Sequence, residues 1–247
     1  YKRQIRNVRP AAYLVAGAAT TRGLDKGWVA DIVAGGALTH AQAISIHPYV
    51  HSRRGATPES WHAWLERHLA QLNRTQPRPI PVYLSEMGWP SNRVASLTEH
   101  ASFAARTYVF SRTLALCGLT WYEFQTSAEP GRPDHGLIDR AGRPRPALQT
   151  LMSLEKYLGN AQVANARLHQ GALFGVEFRT DNGTRLDVVW APGAPVRVPR
   201  TSGVTVRNLL SGGVMEGTDH IPVGPMPLLL VHDTGTSTTG PEAGPRR

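Results

Sequence analysis

The hydrophobic pattern of this chain changes once, near Gly159, and that change limits the folds available to it. Up to Gly159, short apolar runs alternate with amphipathic helical stretches, which is typical of βα units around a parallel sheet. Beyond it, short strands separated by turn residues replace the helical periodicity. The sequence therefore predicts an α/β domain over 1–159 and a small antiparallel β module over 160–233. The final segment, 234–247, consists mainly of Gly, Thr, Ser and Pro and is predicted to be disordered.

Strand and helix signals in the first domain are local and specific. Thr57 and Pro58 form an N-cap and a first helical position, and Ser96 with Glu99 forms a capping box, so each pair predicts the start of a long helix. A third helix is predicted over 146–158. The predicted strands of this domain are 12–18, 43–49, 81–88 and 118–124. In the module, a hairpin with a turn at 181–183 joins 173–178 to 185–190, and further strands follow at 204–210 and 228–231.

Composition excludes several classes of protein. With 41% hydrophobic and 18% charged residues, the chain is globular, and no apolar run is long enough to span a membrane. The formal charge of +9 comes almost wholly from arginine. These arginines are scattered and not interleaved with aromatic residues, so the sequence does not indicate a specific nucleic-acid interface. A general attraction to polyanions stays open.

The strongest chemical signal is Glu86, which ends the third predicted strand just before Gly88-Trp89-Pro90. A period of two would place Glu86 on the same face as Val82 and Leu84, at the carboxyl-terminal end of the strand. A carboxylate in that position is costly unless it is used or paired. A cap or an ion pair with arginine is the structural alternative to a catalytic role.

Two further strand ends carry candidate binding residues. His47 and Tyr49 share one face of the second strand with the small Ser45, which leaves room for both rings. Trp121 and Glu123 share a face of the aromatic fourth strand, where Trp121 could stack on a sugar and Glu123 could hydrogen-bond a hydroxyl group. A core histidine and ordinary barrel aromatics are the structural alternatives.

No metal site or cofactor is predicted. His47 and His51 are four residues apart, but Pro48 breaks any helix that would align them. The single Cys117 cannot form an internal disulfide or a cysteine-based zinc site.

In these motifs and their order, the chain resembles the retaining (β/α)8-barrel glycoside hydrolases of clan A, most closely families 39 and 5. The resemblance implies that Glu86 is the nucleophile at the end of barrel strand seven, that His47 and Tyr49 are the His-x-Tyr pair of strand six, and that Trp121 is the sugar platform of strand eight. The stretch 136–147 is similar to the segment that leads into the last helix. The family resemblance further implies a carbohydrate substrate and favours a secreted or cell-envelope location.

One part of the family pattern is missing. Retaining enzymes need a second carboxylate, about 5–5.5 Å from the nucleophile, which this group carries in an Asn-Glu pair on strand four. The chain contains no Asn-Glu. We therefore expect a (β/α)8 TIM barrel of which only strands five to eight are present. The acid/base residue, together with the upstream half-barrel, would belong to the same parent chain, and the fragment alone would be inactive.

Two other functions stay open at this point. The chain could be a non-catalytic carbohydrate-binding or scaffold protein that kept one end of a glycosidase barrel. It could also be a polyanion-binding protein that uses its arginines, in which case its binding would depend steeply on salt.

Overall fold

The structure is a computed structural model that describes residues 2–74, 76, 78–127, 129–166, 171–217 and 219–233. The chain divides into two compact units, Tyr1–Leu151 and Met152–Arg247. The predicted disordered tail, 234–247, lies outside the described residues, and the predicted boundary at 159/160 stays a prediction.

The first unit is built on a parallel four-stranded sheet in the order β1-β2-β3-β4. Its elements are α1 (Lys2–Val8), β1 (Val15–Thr20), α2 (Thr21–Asp25), α3 (Trp28–Ala34), α4 (Ala37–His40), β2 (Ala43–His47), α5 (Pro58–Asn73), β3 (Val82–Met87), a 3-10 turn (Ser91–Arg93), α6 (Leu97–Thr113), β4 (Leu116–Trp121) and α7 (Pro146–Leu158), which continues into the second unit. All four predicted strands form. The predicted fold class, an α/β partial barrel, is therefore confirmed.

The helices begin where their capping residues predict. Thr57 accepts a hydrogen bond from the backbone of Ser60 and returns one to the Ser60 hydroxyl, at the start of α5. At the start of α6, Ser96 accepts from the Glu99 backbone at 3.1 Å. The apolar stripe of α5 is buried against the sheet side as its spacing predicts; it consists of Trp61, Trp64, Leu65, Leu69 and Leu72.

The alternation of β3 breaks at its end, and this corrects one prediction. Val82 and Leu84 are 2% and 0% exposed, but Glu86 does not share their buried face. Both Ser85 and Glu86 contact His47. The pairing of β3 with β4 shifts register after Leu84, and a bulge of this kind turns two successive side chains to one side.

The second unit is an antiparallel module, as predicted. Its strands are β5 (Gln162–Asn165), β6 (Phe174–Arg179), β7 (Arg185–Trp190), β8 (Val196–Pro199), β9 (Val204–Asn208), β10 (His220–Val223) and β11 (Leu228–His232). Five of them form a sheet in the order β5-β6-β7-β11-β9, and β8 pairs with β10. Sequence patterning missed β5, β8 and β10 because each is only four residues long.

Aromatic side chains fill the core of this module. Trp190 and Phe178 are fully buried, and Phe174 stacks on Trp190 with 5.8 Å between ring centroids. Buried Asp187 is paired with Arg185 and His232 at 2.8 Å each. The aromatics of the module are therefore core residues, as their strand positions indicate.

Candidate active site

The carboxylate of Glu86 lies at the carboxyl-terminal end of the sheet. Two side chains contact it, that of His47 at the end of β2 and that of Tyr49 just after it. The Tyr49 hydroxyl donates to Glu86 Oε2 at 3.3 Å, and His47 Nδ1 lies 3.3 Å from the same oxygen. The Glu86 side chain is 39% exposed. Both partners contact one oxygen of the carboxylate, and no described residue forms a hydrogen bond with the other.

The ring of His47 is fixed from its opposite edge. Its Nε2 lies 2.7 Å from Ser85 Oγ, which is in turn 2.5 Å from Ser45 Oγ. The small Ser45 on β2 thus supports the site through Ser85. This polar chain, running from Ser45 through His47 to Glu86, orients the imidazole toward the carboxylate.

The hydroxyl of Tyr49 stays protonated at any ordinary pH. Burial raises the pKa of Tyr49 above its usual value, and the negative charge of Glu86 raises that pKa further. A neutral phenol donates a hydrogen bond, so Tyr49 orients the Glu86 carboxylate as a hydrogen-bond donor. Because Tyr49 is neutral, it holds the carboxylate of Glu86 in position without forming an ion pair with it.

Three rings, those of His51, Tyr122 and His135, form a wall beside Tyr49. The sequence did not indicate any of them as a site residue. His135 lies 5.7 Å from Tyr49, 5.5 Å from Tyr122 and 5.2 Å from His51, measured between ring centroids. Burial first, and then the neighbouring His51, lowers the pKa of His135 to about 4. Tyr122 is 37% exposed. It lies at the end of β4, between Trp121 and Glu123, the two residues that the sequence indicated as substrate-binding.

The other two predicted residues have different neighbours. The indole of Trp121 donates to the carbonyl of His135 at 3.3 Å, and its ring lies 6.2 Å from that of buried His100. Glu123 accepts from the backbone and hydroxyl of Ser127, at 3.3 and 2.7 Å. In the described part of the chain, neither forms a hydrogen bond or an ion pair with Glu86. Their substrate-binding roles stay predictions, and Tyr122 is the more exposed aromatic ring.

The ends of β3 and β4 are joined closely behind the site. The Tyr122 backbone donates to Met87 O at 3.0 Å. A Cβ on Gly88 would lie 1.9 Å from the Tyr122 carbonyl oxygen, so only glycine fits between the strand ends.

An ion pair holds the loop that carries His135. Arg145 donates to both oxygens of Asp134, at 2.9 and 2.7 Å, and also to Ser91 Oγ at 3.1 Å. Burial opposes ionisation of Asp134, but hydrogen bonds from Arg145, Thr126 and the Gly136 backbone outweigh it and lower its pKa to about 2. The loop is therefore tied to the segment after β3 at all but strongly acidic pH.

The described residues contain no group of three or more His, Cys, Asp or Glu side chains that could hold a metal ion. Across these same residues, no helix is both long and apolar enough to cross a membrane.

Comparison with solved structures shows the fold. A family 39 glycoside hydrolase from the gut symbiont Bacteroides cellulosilyticus WH2 matches with a TM-score of 0.74 and 21% identity, over 94% of this chain and 53% of that chain. A GH39 β-xylosidase from Caulobacter crescentus matches with a TM-score of 0.61 and 14% identity, over 94% and 60% of the two chains. The catalytic domain of GH30 xylanase C from Talaromyces cellulolyticus gives 0.57 and 13%, over 94% and 55%.

By sequence, no protein-family model matches the chain and no curated protein is similar to it. The chain spans little more than half the length of the solved structures that it matches. Its fold is that of the barrel glycoside hydrolases, in a partial barrel followed by a β module.

Proposed function

We propose that this chain carries the nucleophile side of a retaining O-glycosyl hydrolase, with Glu86 as the nucleophile. The observation that supports this role is the asymmetric environment of its carboxylate. Tyr49 and His47 hold Oε2, while Oε1 is free of hydrogen bonds from the described residues. A partly exposed carboxylate with one oxygen held and one free is suited to attack an anomeric carbon.

The chemistry follows from this arrangement. Glu86 Oε1 forms a bond to the anomeric carbon as the bond to the leaving oxygen breaks, which gives a glycosyl ester. Water then attacks the same carbon and releases the sugar and the free carboxylate. Tyr49 positions the carboxylate through its hydrogen bond to Oε2, and His47, fixed by Ser85, lies against the same oxygen of Glu86. Tyr122 and His135 would form the wall for the sugar ring.

The proton that the leaving oxygen needs must come from another group. Glu123, just after the end of β4, is the alternative within this chain, but Ser127 engages both of its oxygens. We therefore assign the acid/base to no residue of this chain. Within the described residues, β1 and β4 each have an unpaired outer edge, and strands that close the barrel there could bring the missing carboxylate.

A mechanism-based label tests the assignment without the missing acid. 2,4-Dinitrophenyl 2-deoxy-2-fluoro-β-xyloside and the matching glucoside carry a leaving group that departs without protonation, and the fluorine slows hydrolysis of the ester. The chain should be incubated with each, alone and with a longer parent protein if one exists, and then digested and mapped by mass spectrometry. We expect a single sugar ester on the peptide that contains Glu86.

Two variants serve as controls. Glu86→Gln should abolish the label, and Glu123→Gln should retain it. A label on another carboxylate in the wild-type protein would show that the nucleophile assignment is wrong. If no label forms but neutral oligosaccharides bind, the non-catalytic carbohydrate-binding alternative is the correct one.

A further inference from the structure

A basic pocket is formed by the loop that follows β2 and by the first three turns of α5. Its volume is about 270 Å³. Three guanidinium groups line it, those of Arg53, Arg54 and Arg67, together with Trp64 and Ser60. This volume is just below the roughly 300–1,000 Å³ of pockets for drug-sized ligands, so it suits one sugar residue and its substituent.

The charges of this pocket are not balanced. Arg53 is fixed by the Asp25 carboxylate at 2.5 Å and lies 4.9 Å above the Trp64 ring. Arg54 and Arg67 are exposed, and neither forms an ion pair with any described residue. One arginine of the pocket is thus neutralised and held in place, while the other two present unpaired positive charge.

The pocket lies close to the nucleophile along the chain. Its first lining residue, Val50, directly follows Tyr49, whose hydroxyl contacts Glu86. Arg53 donates its backbone N–H to Val50 O at 2.8 Å, so the loop turns instead of extending. Even fully extended, the four residue-to-residue steps from Tyr49 to Arg53 would span at most about 14 Å. The pocket and the proposed nucleophile are therefore close along the chain, and a substrate subsite requires that one oligosaccharide contact both.

We propose that this basic pocket is an anion subsite, which binds the carboxylate or sulfate group of an acidic oligosaccharide. Guanidinium groups bind such planar or tetrahedral oxyanions through paired hydrogen bonds. The net charge of +9 adds long-range attraction for an anionic ligand. As a substrate subsite this inference rests on the proposed function, but anion binding by the pocket can be tested separately.

The test is a binding comparison on the full chain with defined probes. Tetragalacturonic acid is compared with its methyl ester, which has the same sugars without charge, and with a sulfated galactotetraose. We expect the methyl ester to bind at least tenfold more weakly than one of the two acidic probes. The acid that binds more tightly identifies carboxylate or sulfate as the group recognised.

A charge-matched pair of variants locates the binding. Arg54→Ala with Arg67→Ala should weaken binding of the acidic probe at least tenfold and leave that of the methyl ester unchanged. The control is Arg74→Ala with Arg78→Ala, which removes two exposed arginines beyond the opposite end of α5. This control should bind the acidic probe as the wild type does. The acidic probe should also protect Arg54 and Arg67, but not Arg74, from phenylglyoxal, as read by mass spectrometry.

Three outcomes would overturn the proposal: equal binding of acid and ester, equal loss in the two double variants, or tighter binding of a thymidine oligonucleotide of matched charge. The last would indicate a general polyanion site. Failure of the Glu86 label with this binding intact would refute the glycosidase function and leave the anion pocket standing. A Glu86 label without selective binding of the acidic probes would support the glycosidase function and refute the anion pocket.

Discussion

At the scale of single residues, the candidate site depends on a neutral donor placed against a charged acceptor. Tyr49 remains protonated because burial and the adjacent carboxylate both raise its pKa. Its hydroxyl therefore remains a hydrogen-bond donor to Glu86 and positions the carboxylate of the proposed nucleophile. Ser85 supports the second partner, His47, from the other edge of its ring.

Replacing Tyr49 with Phe should slow labelling of Glu86 by the dinitrophenyl 2-fluoro glycoside about tenfold. A hydrogen bond to a charged group contributes about 1.5–3 kcal/mol, and 3.3 Å is a long bond, so the lower end applies. The rate of ester formation, followed by intact mass, is the measurement. Tyr83→Phe is the control, because the Tyr83 hydroxyl pairs with Thr120 and not with Glu86. Equal rates in Tyr49→Phe and the wild type would contradict the orienting role of Tyr49.

At the scale of elements, the junction between β3 and β4 determines where Glu86 lies. The register shift after Leu84 turns Glu86 toward His47. Gly88, two residues after Glu86, has no side chain, and this allows the Tyr122 carbonyl to approach the backbone of β3 closely at its end. A side chain at position 88 would push these strand ends apart.

Gly88→Ala should lower the free energy of unfolding by about 2–3 kcal/mol, since overpacking a close backbone contact is costly. It should also reduce labelling of Glu86, because the same displacement moves the end of β3. Urea unfolding and the labelling rate are measured together. Gly193→Ala is the control: a Cβ there meets nothing within 4 Å, so we expect a change within about 0.5 kcal/mol. Wild-type stability in Gly88→Ala would show that the strand ends are not in this close contact.

At the scale of the whole molecule, buried histidines make stability depend on pH. Burial lowers the pKa of His100, which is fully buried, and of His135 to about 4 each. The unfolded chain takes up these protons near pH 6.5, whereas the folded chain does not until about pH 4. The folded-state pKa is thus depressed, and stability present at neutral pH is lost as the pH falls through this window.

We therefore expect the free energy of unfolding to decrease between pH 6.5 and 4, by up to about 3 kcal/mol for each of the two histidines. Urea unfolding at pH 7, 5.5 and 4 measures this. His100→Gln should remove about half of the decrease, while His40→Gln, at an exposed position, should leave it unchanged. A wild-type stability that is flat across this range would contradict the prediction. Protonation of Asp134, whose pKa is about 2, belongs to a separate window below pH 4.

The longer elements and their order could be predicted from local patterns in the amino-acid sequence. Thr57-Pro58 and Ser96 with Glu99 begin their helices where predicted, because capping depends on residues a few positions apart. The four parallel strands and the β6–β7 hairpin also form, since periodicity and turn residues are local signals. The family resemblance assigned Glu86, His47 and Tyr49 to the ends of two successive barrel strands, and these three side chains do come together.

Which side chains share a surface, in contrast, depends on packing between elements. Period two placed Glu86 with Val82 and Leu84, but the bulge reverses that face, because a register shift depends on the neighbouring strand. The wall of His51, Tyr122 and His135 joins the loop after β2 to two distant parts of the connection between β4 and α7, and the basic pocket joins a loop to a helix face. Such contacts link residues far apart in the chain, and no local pattern encodes them.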